Sequence, residues 1–146
     1  MSEQDAGPFA RPLSSDLEGL RLEECWDALR SASLGRLAVL GPDGAPDIFP
    51  MNYTVSEERI FVRSAPGAKL VDLARDPRVA FEVDSVGDIV WSVVVRGTAA
   101  RLDADDEIEA SGVLDLRSAS PTGKQDFIRI SPREITGRRF RSALRR

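Results

Sequence analysis

The sequence contains no histidine and only one cysteine, Cys25. A chain without histidine cannot form the Ser-His-Asp or Cys-His pairs of nucleophilic enzymes, and it cannot hold haem or zinc through imidazole. A single cysteine excludes an intrachain disulfide, an iron–sulfur cluster and a cysteine-rich zinc site. We therefore predict no metal site, and any redox chemistry must come from a bound organic cofactor.

Long apolar runs are also missing, since none approaches the roughly 20 residues that a membrane-spanning helix needs. The first sixteen residues are polar and acidic, which is not typical of a signal peptide. With the single cysteine, these features predict a protein of the reducing cytoplasm that has no membrane partner.

The net charge is slightly negative, but positive charge is concentrated at one end. The net charge of −4 argues against a general nucleic-acid binder. From Arg129 to Arg146, however, there are seven arginines and one acid, Glu134. We interpret this region as a final strand with a solvated end, and a basic tail for an anionic partner is the alternative.

The patterns that are present predict one domain of mainly β structure with flanking helices. Residues 1–16 predict a flexible N-terminal arm, and residues 17–146 a single domain. Apolar residues at helical spacing predict an amphipathic helix over 21–32. The short β-like segments that follow have brief links, which favours an antiparallel sheet or barrel over a βαβ layout. We expect six or seven strands and three helices.

Several positions in these strands carry specific expectations. Pro50 cannot donate a ladder hydrogen bond, which predicts an edge, a bulge or a gap that faces a ligand. The valine-rich run 89–102 predicts a well-buried strand in which Gly97 marks a bulge or a bend. The segments 122–132 and 133–144 predict two further strands, with Pro132 between them.

The turn after the strand RIFVRS gathers groups that suit a phosphate. Pro66-Gly67 is typical of a type II turn, and a short helix follows it. A helix N-terminus presents backbone N–H groups and a partial positive charge. Arg63, Ser64 and Lys69 add two cations and a hydroxyl, so a phosphate would find charge-assisted hydrogen bonds on several sides. The alternative is an ordinary turn with a solvated lysine and a surface arginine.

The ordered segments PDIFPMNY, FVRSAPGAKL, DPRVAFEVD and WSVVVRG resemble those of the pyridoxamine 5′-phosphate oxidase-like, FMN-binding split-barrel family. The resemblance extends from about Leu20 to Arg139. It implies a six-stranded antiparallel split β-barrel, usually a homodimer with flavin at the subunit interface. It also implies FMN as the cofactor, or deazaflavin as in some members, and a small-molecule substrate.

The resemblance also implies roles for individual residues. Lys69 falls where the family places a lysine on the FMN phosphate, and Arg63 and Ser64 fall at the strand end that also contacts it. The other candidates lie on three other strands. The backbone of Pro50, Met51, Asn52 and Tyr53, together with that of Phe49, is expected to border the isoalloxazine ring. Trp91 and Ser92 are expected to touch the flavin from nearby, and Arg138 or Arg139 to approach it from the other subunit. For Trp91 the alternative role is packing.

The sequence departs from the vitamin B6 oxidases of this family at two points. Their C-terminal Arg-x-His element cannot be matched, because there is no histidine, and the residue before Lys69, often arginine in those enzymes, is Ala68. We therefore predict a broader flavoprotein, an FMN-dependent oxidoreductase on an unidentified small molecule, and we assign no catalytic residue. A deazaflavin-dependent oxidoreductase and a non-enzymatic flavin-binding or partner-binding module are the alternatives.

Overall fold

The structure is a computed structural model that describes residues 7–64, 68–102, 105–113 and 126–144, without the side chains of 68–70, 105 and 106. None of the helices in these ranges has the length and apolar character needed to cross a membrane. The strands are β1 (Leu17–Gly19), β2 (Leu34–Leu40), β3 (Pro46–Ser56), β4 (Arg59–Ser64), β5 (Arg78–Ser85), β6 (Ile89–Arg101) and β7 (Asp126–Arg141). The helices are α1 (Leu22–Ser31), α2 (Ala68–Arg75) and α3 (Asp105–Ser111).

The strands form one sheet that closes on itself. Its order is β1-β7-β4-β3-β2-β5-β6, and a further pairing of β6 with β7 joins the ends. All of the pairings are antiparallel. The six strands β2–β7 therefore make a barrel, and the three-residue β1 adds to the edge of β7. The predicted mainly β, antiparallel barrel is confirmed, and its closure pairs strands that would lie at the edges of an open sheet.

The barrel core follows from strict alternation along the strands. On β2, Gly35, Leu37 and Val39 are buried while their neighbours are partly or fully exposed. The same pattern places Trp91, Val93 and Val95 of β6 inside. Helix α1 covers the core with Cys25, Trp26, Ala28 and Leu29. Burial raises the pKa of Cys25 to about 11, so the thiol is an apolar packing group at neutral pH.

The prediction of two separate C-terminal strands is wrong, because β7 runs unbroken through Pro132. The predicted irregularity at Gly97 is confirmed and lies directly opposite. Gly97 pairs with Pro132 but Arg96 pairs with Glu134, so Arg133 is left over as a β-bulge. Proline within a sheet is tolerated at edges and bulges, and Pro132 is next to this bulge, so the strand continues through it.

Candidate functional site

The predicted phosphate-binding turn lies between the end of β4 at Ser64 and the start of α2 at Ala68. Residues 65–67 and the side chain of Lys69 lie outside the described part of the chain. The backbone of Lys69 belongs to the first turn of α2. The first-turn N–H groups of a helix have no acceptor within the helix, so this end of α2 suits an anion.

Arg63 and Ser64 point to opposite faces of the sheet. Ile60 and Val62 belong to the barrel core, whereas Phe61 belongs to a separate apolar cluster outside it. By alternation, Arg63 shares the outer face with Phe61, and its guanidinium lies 5.8 Å from the centre of the Phe127 ring. Ser64 is only 4% exposed and points inward. One ligand can reach both side chains only at the very end of the strand.

Strand β3 changes its pairing partner in the middle of the candidate site. Residues Pro46–Asn52 pair with β2, and residues Tyr53–Ser56 pair with β4. Pro50 lies in the first half, opposite Arg36. Each half of β3 therefore pairs with a different strand along one edge. The edge of residues 46–52 that faces away from β2 is the one that β4 does not cover.

Only two of the four candidates on β3 direct their side chains outward. Pro50 and Asn52 are on the outer face, and Met51 and Tyr53 are buried. The Tyr53 hydroxyl donates a 2.5 Å hydrogen bond to the Leu29 carbonyl, and burial raises the pKa of this phenol. Met51 and Tyr53 could therefore border a ring only through their main chain.

The outward groups of β3 and β4 come together. The ladder between these strands ends at Tyr53 opposite Val62. Extending that register by one residue brings Asn52 beside Arg63. Pro50, Asn52 and Arg63 therefore lie on one face, at the end of β4 that leads into α2.

The other candidates form a second group elsewhere on the barrel. Trp91 is buried and packs edge-on against Phe9, with ring centres 6.3 Å apart. Ser92 is partly exposed and pairs with Asp84 on one side and Arg138 on the other. Arg63 pairs with Phe127 near the start of β7, whereas Ser92 pairs with Arg138 near its end, so a single chain does not bring these residues to the β3–β4 group.

Arg139 is enclosed by the N-terminal segment. It is 2% exposed, and its guanidinium lies 4.7 Å from the centre of the Phe9 ring. It donates hydrogen bonds of 2.6 Å to the Glu18 carboxylate and 2.8 Å to the Arg11 carbonyl. Arg139 is therefore engaged within its own chain, and its predicted approach to a cofactor in the other subunit would require those contacts to change. Exposed Arg138 does not have this constraint.

Phe9 and Arg11 attach residues 7–16, for which the sequence predicts a flexible arm, to the barrel. Phe9 is 4% exposed beside Trp91. Arg11 bridges Glu18 at 3.0 Å and Glu24 at 2.7 Å. The Glu24 carboxylate also accepts a hydrogen bond from the Arg21 N–H at the start of α1. The ion pairs thus join the segment, β1, α1 and β7 into one cluster.

Glu18 makes this cluster sensitive to acid. Burial alone would raise its pKa, but hydrogen bonds from Ser14, Arg139 and Arg11 outweigh burial and lower the pKa from 4.5 to about 2. A carboxylate with a depressed folded-state pKa stabilises the fold above its ordinary pKa. That contribution is lost as the pH falls from about 4.5 to about 2.

We expect Glu18→Gln to make the free energy of unfolding less dependent on pH under acidic conditions. The wild-type free energy of unfolding should fall more steeply than that of the variant between pH 4.5 and pH 2. Urea unfolding at a series of pH values measures this difference. The control is Glu23→Gln, at an exposed glutamate of α1. If the Glu18→Gln and wild-type slopes coincide, the ion pairs do not control acid stability.

The outer face beside Pro50 holds a charged group that the sequence analysis missed. Arg36 contacts Asp84 at 3.0 Å and Glu82 at 3.4 Å. Burial and the neighbouring Asp84 raise the pKa of Glu82, against the opposing effect of Arg36. The alternation of β2 marks Arg36 as outward, but its acidic partners become apparent only once β2 is paired with β5.

A closed ring of six antiparallel strands with short flanking helices defines the class of protein as a split β-barrel. The family model described as pyridoxamine 5′-phosphate oxidase matches residues 21–139. The chain therefore belongs to this family.

Three relatives illustrate the similarity. A 5a,11a-dehydrotetracycline/5a,11a-dehydrooxytetracycline reductase of Streptomyces rimosus is 32% identical over 73% of this chain and 75% of its own. A crystal structure from Corynebacterium glutamicum, of a proposed pyridoxamine 5′-phosphate oxidase, is 41% identical with a TM-score of 0.77, covering 86% of this chain and 99% of that one. An FAD binding protein of Mycobacterium smegmatis is 35% identical with a TM-score of 0.73, covering 86% and 100%.

Proposed function

We propose that this chain is a flavin-binding oxidoreductase that holds FMN by its phosphate at the turn between β4 and α2. The observation that carries the proposal is the common outward face of Pro50, Asn52 and Arg63 beside the start of α2. The donor set fits a ribityl phosphate, because it combines a helix N-terminus with the cations Arg63 and Lys69. Bound flavin would supply hydride or electron transfer at its ring, and the chain would supply placement and an apolar wall.

The relatives support this class of function. The Streptomyces rimosus protein is a reductase, and the Mycobacterium smegmatis protein binds FAD. FAD shares the ring and the first phosphate with FMN, so a site for either uses the same anchoring cations. We infer that this chain acts on a small molecule, and that FMN fills the site without the additional nucleotide.

We further propose that two copies of the chain enclose the flavin. The outer face beside Asn52 exposes apolar side chains, with Leu34 47% and Ile48 66% exposed. Leu34 pairs directly with Asn52. A flavin ring needs cover on both sides, and a two-fold dimer would bury this face and complete two equivalent sites. It would also allow the Trp91–Ser92 group of one copy to approach the β3–β4 group of the other.

The experiment is to identify the small molecule that copurifies with the protein, by absorption spectrum and mass. The binding of FMN, FAD, riboflavin and a deazaflavin is then compared on protein stripped of cofactor. FMN bound more tightly than riboflavin supports the phosphate site, and preferential binding of deazaflavin overturns the FMN assignment. Protein that binds flavin but exchanges electrons with no nicotinamide donor or acceptor is a binding module instead. A flavin-saturated monomer in sedimentation contradicts the interface.

We expect Lys69→Ala to weaken FMN binding roughly ten- to a hundredfold, because one charge-assisted contact contributes about 1.5–3 kcal/mol. Riboflavin, which lacks the phosphate, should bind the variant and the wild type equally. The matched control is Arg75→Ala, which removes a cation from the other end of α2, where it pairs with Asp72. Equal losses for FMN and riboflavin would place Lys69 away from the phosphate.

A further inference from the structure

Arginine and phenylalanine side chains alternate along the outer face of β4 and along that of β7. On β4 this face carries Arg59, Phe61 and Arg63, and on β7 it carries Phe127 and Arg129. The register places Arg63 opposite Phe127 and Phe61 opposite Arg129. Arg63 and Arg129 therefore each have an aromatic ring as a direct neighbour across the ladder, at the separation where cross-strand side chains interact.

Helix α3 braces this face. Phe61, Leu102 and Val113 form a buried cluster, and Ile108 of α3 and Phe127 pack against it. Glu107 of α3 accepts hydrogen bonds of 2.7 and 2.8 Å from Arg129, and Arg59 lies 3.4 Å from the same carboxylate. One carboxylate thus ties α3 to both strands and engages two of the three outer-face arginines.

The third arginine, Arg63, lies against the ring of Phe127, with 5.8 Å between its guanidinium carbon and the ring centre. This is within the range of a cation–π interaction, which favours one orientation of a long and otherwise adaptable side chain. The ring itself is held by the cluster beneath α3. The contact therefore holds the Arg63 guanidinium, at the end of β4, against a ring that the α3 cluster keeps in place.

We propose that Phe127 is a positioning residue, which aims the Arg63 guanidinium at the phosphate of a bound flavin. The inference rests on the proposed function, since it assigns Arg63 a phosphate to meet. Phe127 does not touch the phosphate itself. It acts by limiting where the guanidinium lies before the ligand arrives, which lowers the ordering cost of binding.

The test measures phosphate discrimination, defined as the ratio of the riboflavin Kd to the FMN Kd. Phe127→Leu should lower this ratio about two- to fivefold, the effect of losing one cation–π contact. Phe127→Tyr keeps an aromatic face and should retain the wild-type ratio. Phe61→Leu is the matched control, because it loosens the same cluster from the position opposite Arg129. Phe127→Met replaces Phe127→Leu if the latter does not fold.

A double-mutant cycle with Arg63→Ala separates positioning from general loosening. In the Arg63→Ala background, Phe127→Leu should leave the ratio unchanged, because no guanidinium remains to position. The inference is overturned if Phe127→Leu weakens riboflavin and FMN equally, if its effect persists without Arg63, or if Phe61→Leu has the same effect. If Arg63→Ala abolishes discrimination and Phe127→Leu does not alter it, only the inference fails. A wild-type protein with no preference for FMN refutes the phosphate site as well.

Discussion

Replacing Gly97 with alanine should lower the free energy of unfolding by about 3 kcal/mol or more, since overpacked sites typically cost about 1–3 kcal/mol and this clash is severe. A Cβ at this position would lie 2.1 Å from the Ser131 carbonyl oxygen and 3.0 Å from the Pro132 Cα. Both are backbone atoms, so no side-chain rotation can relieve the clash. Urea unfolding of the cofactor-free protein measures the loss.

The control for this prediction is Gly87→Ala, between β5 and β6. A Cβ there would come no closer than 3.9 Å to its nearest neighbour, the Ile89 carbonyl oxygen. If the two substitutions cost the same, the close approach at the bulge is not what requires glycine at 97. A selective loss in Gly97→Ala would show that β6 and β7 need this contact to close the barrel, since β6 with β7 is the pairing that joins the ends of the sheet.

The second large effect is expected at Phe81, where substitution by alanine should cost about 3–5 kcal/mol. Phe81 is fully buried, and its ring packs edge-on against Tyr53 with centres 5.2 Å apart. Its removal leaves a cavity beside Tyr53, on the inner side of the strand that carries Pro50 and Asn52. We therefore expect flavin affinity to fall along with stability, and unfolding with and without ligand measures both.

A pair of substitutions shows whether the space at Phe81 causes this loss. A Cβ on Gly35 would lie 2.4 Å from the Phe81 ring, so Gly35→Ala alone should also be destabilising. In the Phe81→Ala background that clash is gone, and Gly35→Ala should cost clearly less. Some cost should remain, because the same Cβ would lie 2.9 Å from the Glu82 carbonyl oxygen. Additive losses would contradict the packing described here.

Strand β7 links the predicted stability effects to the proposed function. This strand carries Phe127 beside the β4 end of the site and Arg139 within the N-terminal cluster. The bulge between them re-aims the strand without ending it. A lesion at Gly97 should therefore affect both the β4 end of the candidate site and the N-terminal cluster, whereas Phe127→Leu should affect only the β4 end.

The sequence alone determined which kinds of catalytic chemistry are excluded and the kind of fold. The absence of histidine and the single cysteine exclude imidazole-ligated and cysteine-rich metal sites and histidine-based catalytic triads whatever the fold, because no arrangement can supply a missing ligand. Alternation and short links indicate an antiparallel barrel, and Gly97 indicates its irregularity, because these are local consequences of backbone geometry. The turn from Arg63 to Lys69 is predicted as a phosphate site from its local sequence in the same way.

Only the tertiary structure decided which side chains of that turn share a face and what lies beside them. Alternation implies that Arg63 and Ser64 differ in direction, but the core determines which of them points inward. Phe127 and Glu18 are far along the chain from Arg63 and Arg139, respectively, and strand pairing makes them neighbours. The physical reason is register: alternation fixes which residues of one strand share a face, but which residue of a distant strand lies opposite each of them is decided by the long-range pairing.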